Sequence, residues 1–196
     1  MTRQQEKSRQ TMLELMASAM ELFGRHGYTN TSVAEITRHA GYSKGTFYRH
    51  WQSKDELFLK ILEQKLQLYR RSRDRKLRQA ENLEEVLRII WDFLENIVAD
   101  REWARVFLEF TVHAARDRQL KQVIKQRQYR LSETIFAELV TPFVPEGYPA
   151  RRMGALNTAL FEGFMVHNAL GTGLLRLADV REAAVKLALN LKEETG

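Results

Sequence analysis

Cysteine is absent from the 196-residue chain. Disulfide frameworks and thiolate metal sites are therefore excluded, and a reducing, cytoplasmic setting is the expectation. Proline occurs three times and glycine ten times. A chain this poor in breakers is expected to be helical rather than all-β. Apolar runs of about 18 residues are missing, so no membrane span is expected. Residues 1–20 hold no apolar stretch of the kind a secretory leader carries. Asn30-Thr31-Ser32 matches a glycosylation sequon, which has no meaning without secretion. The H-E-x-x-H, P-loop and G-x-G-x-x-G patterns do not occur, and His26, His39 and His50 lack metal-ligand spacing. No metal, cofactor or enzymatic activity is expected. Gly41-Tyr42-Ser43-Lys44-Gly45 does satisfy G-x-S-x-G, the elbow of serine hydrolases. That elbow needs a strand before the serine and a sheet around it, and here a short helix precedes it.

What is present is apolar periodicity and an uneven charge. Hydrophobic residues make up 44% of the chain, enough to bury a core, and charged residues 29%. The net charge is +6. Residues 1–54 carry eight Lys/Arg against four Asp/Glu, and residues 55–78 again eight against four. The remainder carries fifteen against seventeen. A basic end on a near-neutral body points to a polyanionic partner at that end.

Apolar residues recur at a helical period along most of the chain. Met12, Leu15, Met16, Ala19, Leu22 and Phe23 form one face of a first helix, closed by Gly24 and Gly27. Ser32 with Glu35 and Ser53 with Glu56 have capping-box spacing and open the second and fourth helices. Ser43 caps the third. Helices are expected from Asn82, from Asp100, over 117–140, over about 150–171 and over about 178–193. The fold class is all-α, with about nine helices. Four lie in the basic end and five behind it. Residues 1–53 are read as an N-terminal domain, and 54–196 as a helical domain behind it.

Residues 28–58 are the most specific segment. Two short helices flank a glycine turn, the layout that places a second helix in the major groove. Val33, Ile36, Ala40, Phe47 and Trp51 supply a packing face. Lys44, Thr46, Tyr48, Arg49 and His50 supply donors on the other side. Thr31 to Ile36, Ala40 to Trp51 and Ser53 to Phe58, with Ala19-Met20-Glu21-Leu22-Phe23 and Gly27-Tyr28 upstream, resemble the signature of the TetR family of bacterial repressors. The likeness covers residues 12–62. Tyr42 stands where a smaller aliphatic residue is usual, and Trp51 where Phe is usual.

The resemblance implies roles. Lys44, Gly45 and Thr46, behind the capping Ser43, would meet base edges. Tyr48 and His50 would hold phosphates, and Arg49 would read sequence. Thr31, Ser32 and Lys54 would also hold phosphates, with Arg38 and a basic N-terminal arm (Arg3, Lys7, Arg9) nearby. The expected partner is double-stranded DNA carrying a palindromic operator.

One recognition helix reads few base pairs, so a homodimer is expected. Ala155, Ala159 and Gly163 form a small-residue stripe, and Val180, Ala184, Leu187 and Leu191 an apolar one. In the family such final helices form a four-helix bundle across the dimer. The resemblance also implies an effector pocket. Trp91, Trp103, Phe107, Phe110, His113, Tyr129, Phe136, Phe161, Glu162 and Phe164 are its candidate lining, suited to a small, largely apolar molecule. The reading is therefore a ligand-released repressor. A protein of the same fold acting as an activator, or in chromosome organisation through a protein partner, is the alternative.

Overall fold

The structure is a computed structural model that describes residues 2–190, with the backbone alone at 68–72, 127–128 and 130–132. Leu191, expected at the dimer interface, lies outside the described residues. Ten α-helices and no strand occur among them. They are α1 (Arg3–His26), α2 (Val33–His39), α3 (Lys44–Tyr48), α4 (Lys54–Leu77), α5 (Leu83–Ala99), α6 (Arg101–Arg116), α7 (Arg118–Ile124), α8 (Arg130–Val140), α9 (Ala150–Leu170) and α10 (Leu177–Asn190). A π-helical turn, Lys125–Tyr129, joins α7 to α8. Counted as one run, 118–140 brings the total to the nine expected.

Local chemistry explains most of the starts. Thr2 and Gln5 form a reciprocal capping box on α1, and Ser32 and Glu35 form another on α2. Ser43, Asn82, Asp100 and Asp117 each accept a backbone N–H at the start of α3, α5, α6 and α7. Each such cap contributes about 1 kcal/mol. The Thr2 cap has a consequence for the basic N-terminus. Arg3, Lys7 and Arg9 sit on the first turns of a 24-residue helix rather than on an extended arm.

The chain forms two compact units. The first comprises residues 1–68 with 105–113, the second 69–104 with 114–196. The expected boundary at 53/54 lies just before α4, whose Leu57, Phe58, Ile61 and Leu62 are buried core residues. In the first unit Phe58 lies 4.2 Å from Phe110 and 5.3 Å from Tyr28, centre to centre, with Phe23 and Tyr28 5.0 Å apart. Phe110, on α6, thus belongs to the aromatic core of the first unit. His113 sits there too, with Nε2 3.0 Å from Asp55 Oδ1. This packing accounts for both residues without a ligand.

In the second unit α10 packs on α5 and α9. Val180 and Ala184 face inward, at 8% and 1% exposure. These two positions of the expected interface stripe are thus covered by α5 and α9 within the chain. Leu187 remains exposed, as do Ala155, Ala159 and Gly163 on α9, beside Val166 and Leu170.

Candidate nucleic-acid interface

The turn between α2 and α3 is built for a sharp reversal. Gly41 holds a φ of +75°, a region that disfavours side chains. The Tyr42 backbone N–H donates to Thr37 O at 2.8 Å. The Tyr42 hydroxyl, large for this position, donates to the Glu14 carboxylate on α1. The departure from a small aliphatic residue thus adds a polar tether to the turn, and that hydrogen bond holds the Glu14 carboxyl below its usual range. Phe47 is fully buried, Trp51 nearly so, and their rings lie 5.5 Å apart. They fix the inner side of α3.

The other side is open. Ser43, Lys44, Gly45, Tyr48 and Arg49 are exposed, while Thr46 and His50 are half-buried. Tyr48 is 56% exposed, which rules out a core role for its ring. A Cβ on Gly45 would meet only Ser43 Oγ, at 3.7 Å, so a flat surface can approach closely there. Ser43 Oγ and Thr46 Oγ1 are 3.0 Å apart, and Arg49 Nη2 donates to Thr46 Oγ1 at 3.3 Å. No acidic residue occurs from Ser43 to His50. Desolvation, helped by the Arg49 charge, pulls the His50 pKa below the ordinary histidine value, which favours the neutral ring with its one donor and one acceptor. Arg38 is exposed at the end of α2.

Three residues expected on the same surface are placed differently. The Thr31 hydroxyl donates to Gly27 O at 2.8 Å, and the residue is 2% exposed. Ser32 is exposed, but its hydroxyl donates to Glu35 Oε2 at 2.7 Å and accepts the Glu35 N–H. The Lys54 ammonium donates to the carbonyls of Tyr28 and Thr31 at 2.6 and 2.7 Å.

Periodicity gave no sign of a second set of ties. Glu109 Oε2 accepts the Tyr28 backbone N–H at 2.6 Å, and Arg105 donates to Gly24 O. One turn apart on α6, the two side chains engage the free backbone groups that end α1. Gly27 is required there. Its φ is +83°, and a Cβ would come within 2.8 Å of Glu109 Oε2. The Tyr28 hydroxyl donates to Asp55, and burial together with that carboxylate keeps the phenol protonated.

In the second unit Trp91, Trp103, Phe136, Phe161 and Phe164 are buried, with Trp91 and Phe161 edge to face at 6.3 Å. Phe107 falls in the first unit and is half-buried. The Tyr129 hydroxyl donates to Glu162 Oε1 at 2.7 Å, and burial raises the Glu162 pKa against that bond. A raised carboxyl pKa means that the folded state is favoured below the ordinary value and loses stability as pH rises through it to the raised one. Glu162→Gln keeps an acceptor for Tyr129 and removes the charge. It is expected to raise the melting temperature at neutral pH and to shrink the loss of stability as pH rises above the ordinary carboxyl range, read by thermal melts. A lower melting temperature at neutral pH would count against this.

Among the described residues no three His, Asp or Glu side chains gather as a metal site, and no helix is long and apolar enough to cross a membrane.

Comparison with known proteins gives the family. The N-terminal family model of the bacterial regulatory proteins of the tetR family matches residues 15–61. The model of the BetI-type transcriptional repressor C-terminal region matches residues 82–189. The HTH-type transcriptional regulator BetI of Brucella suis is 28% identical over 179 residues, covering 90% of this chain and 85% of that protein. Among solved structures, the fatty acid degradation regulator FadR of Bacillus halodurans superposes with a TM-score of 0.73 at 17% identity, over 92% of this chain and 95% of that one. FadR of Thermus thermophilus, a TetR-family repressor solved with lauroyl-CoA, gives 0.70 at 21% identity, over 94% and 98%. The chain belongs to the TetR family of bacterial transcriptional regulators, with a C-terminal region of the BetI type.

Proposed function

We propose that this chain is a cytoplasmic repressor that holds a near-palindromic operator as a homodimer and releases it when a small, largely apolar molecule enters the second unit. The observation that carries the reading is the open side of α3. Lys44, Tyr48 and Arg49 are exposed in a segment, 43–50, that carries no acidic residue, beside a glycine that admits close approach. Lys44, Gly45 and Thr46 are assigned to base edges, Tyr48 and His50 to phosphates, and Arg49 to sequence reading. Arg38 and Ser32 border this surface. A second copy supplies the second reading helix, and the exposed stripe Ala155, Ala159, Gly163 and Val166 on α9 is the surface offered to it. The buried aromatic residues Trp91, Phe136, Phe161 and Phe164 give the second unit the apolar interior such an effector needs.

Selection of duplexes from a random pool tests the reading, followed by a screen for molecules that release the selected duplex. A two-fold symmetric sequence is expected to emerge. A pool that stays random would sink the proposal. Arg49→Ala is expected to relax the preference at about one or two base pairs per half-site, with nonspecific affinity little changed. An equal loss on selected and shuffled duplexes would remove Arg49 from base reading.

A further inference from the structure

The turn between α1 and α2 directs three carbonyls, those of Tyr28, Thr29 and Thr31, toward one point. The Lys54 ammonium occupies that point, at 2.6, 3.5 and 2.7 Å from the three oxygens. It also lies 4.4 Å from the centre of the Tyr28 ring, within cation–π range. An ammonium has three protons to donate, and each has an acceptor here. Lys54 opens α4, 26 residues along the chain from Tyr28. Its side chain therefore ties the end of the helix-turn-helix to its beginning. Reaching a phosphate would require the ammonium to leave all three carbonyls and the ring.

We infer that Lys54 is a positioning residue for DNA reading: its ammonium braces the 28–31 turn that leads into α2, the helix that carries the turn into α3, and it does not serve as a phosphate contact. The surroundings of that turn agree. The Thr31 hydroxyl is bonded back to Gly27 O, the Tyr28 N–H is held by Glu109, and Ser32 begins α2 directly afterwards. Removing the brace frees the residues that set the tilt of α2, and with it the angle at which α3 meets the groove. Burial lowers the Lys54 pKa, and the nearby Asp55 and Glu35 oppose that shift.

The inference rests on the DNA-binding reading of α3, and its test separates the two. The probes are a duplex that the wild-type protein selects from a random pool and a shuffled version of it. Lys54→Met keeps the stem and removes the charge, and Lys44→Met is the control on the open side of α3. For Lys54→Met the preference for the selected duplex is expected to fall by about tenfold or more, while the salt slope on the shuffled duplex keeps its wild-type value. Lys44→Met is expected to lower that slope by about one unit. An unchanged preference in Lys54→Met, or a slope lowered by about one unit, overturns the inference.

Lysine labelling of the wild-type protein needs no folded variant. Lys54 should react slowly with and without DNA, and Lys44 quickly until DNA covers it. A Lys54 that labels quickly in the free protein and is shielded only by DNA also overturns the inference. A wild-type protein that selects no duplex overturns the DNA-binding reading instead.

Discussion

Phe110→Ala is expected to cost about 3–5 kcal/mol and to abolish DNA binding by loosening the N-terminal unit. Phe110 is 1% exposed. Its ring lies 4.2 Å from Phe58 and 5.1 Å from Tyr28, the latter edge on. These rings in turn contact Phe23, at 6.0 and 5.0 Å. Truncation removes a whole ring from a cluster whose members come from α1, the turn after it, α4 and α6. None of these can fill the space without giving up another contact. Against a typical domain stability of about 5–15 kcal/mol, the loss is a large share. Denaturant midpoints measure it, and hydrogen exchange locates it. Amides of α1 to α3 should lose protection while those of α5 and α9 keep theirs. A cost below about 1 kcal/mol would contradict this packing. So would intact DNA affinity with a lost effector response, which would return Phe110 to the effector site.

Much of the candidate surface on α3 was legible because it follows local rules. Ser32 with Glu35 and Ser43 ahead of Lys44 announce two helix starts within twelve residues, and Gly41 between them leaves room only for a turn. The same logic placed Phe47 and Trp51 inward and Lys44, Tyr48 and Arg49 outward. Local rules could not show what distant residues do to the same segment. Glu109 and Arg105 reach backbone groups 81 positions away, and a backbone acceptor leaves no mark on side-chain periodicity. Lys54 shows the same blindness. As a lysine at a helix start it reads as a phosphate ligand, and the carbonyls it binds are not written in any side chain. Val180 and Ala184 form a regular stripe, but periodicity does not say whether the covering helix belongs to the same chain. Packing against α5 and α9 decides that they face inward.

Asn157→Leu is expected to stabilise the second unit by about 1–3 kcal/mol. Among the described residues, Asn157 Oδ1 and Trp91 Nε1 are the buried side-chain atoms without a hydrogen-bond partner. Both residues lie in one apolar core. Trp91 is edge-on to Phe161, one turn beyond Asn157 on the same face of α9. A buried carbonyl oxygen with no donor forfeits the hydrogen bond that water gives it in the unfolded chain. Leucine has nearly the same shape and lacks that deficit. The substitution should shift the urea midpoint upward with an unchanged slope, which marks a gain in stability rather than a change in compactness. Trp91→Phe removes the matching unpartnered N–H, but it also shrinks the side chain, so its gain should be smaller or cancelled by the space left behind. A lower midpoint for Asn157→Leu would refute the deficit. It would show that a buried water or a bound molecule already partners Oδ1, because removing a satisfied acceptor strands its donor.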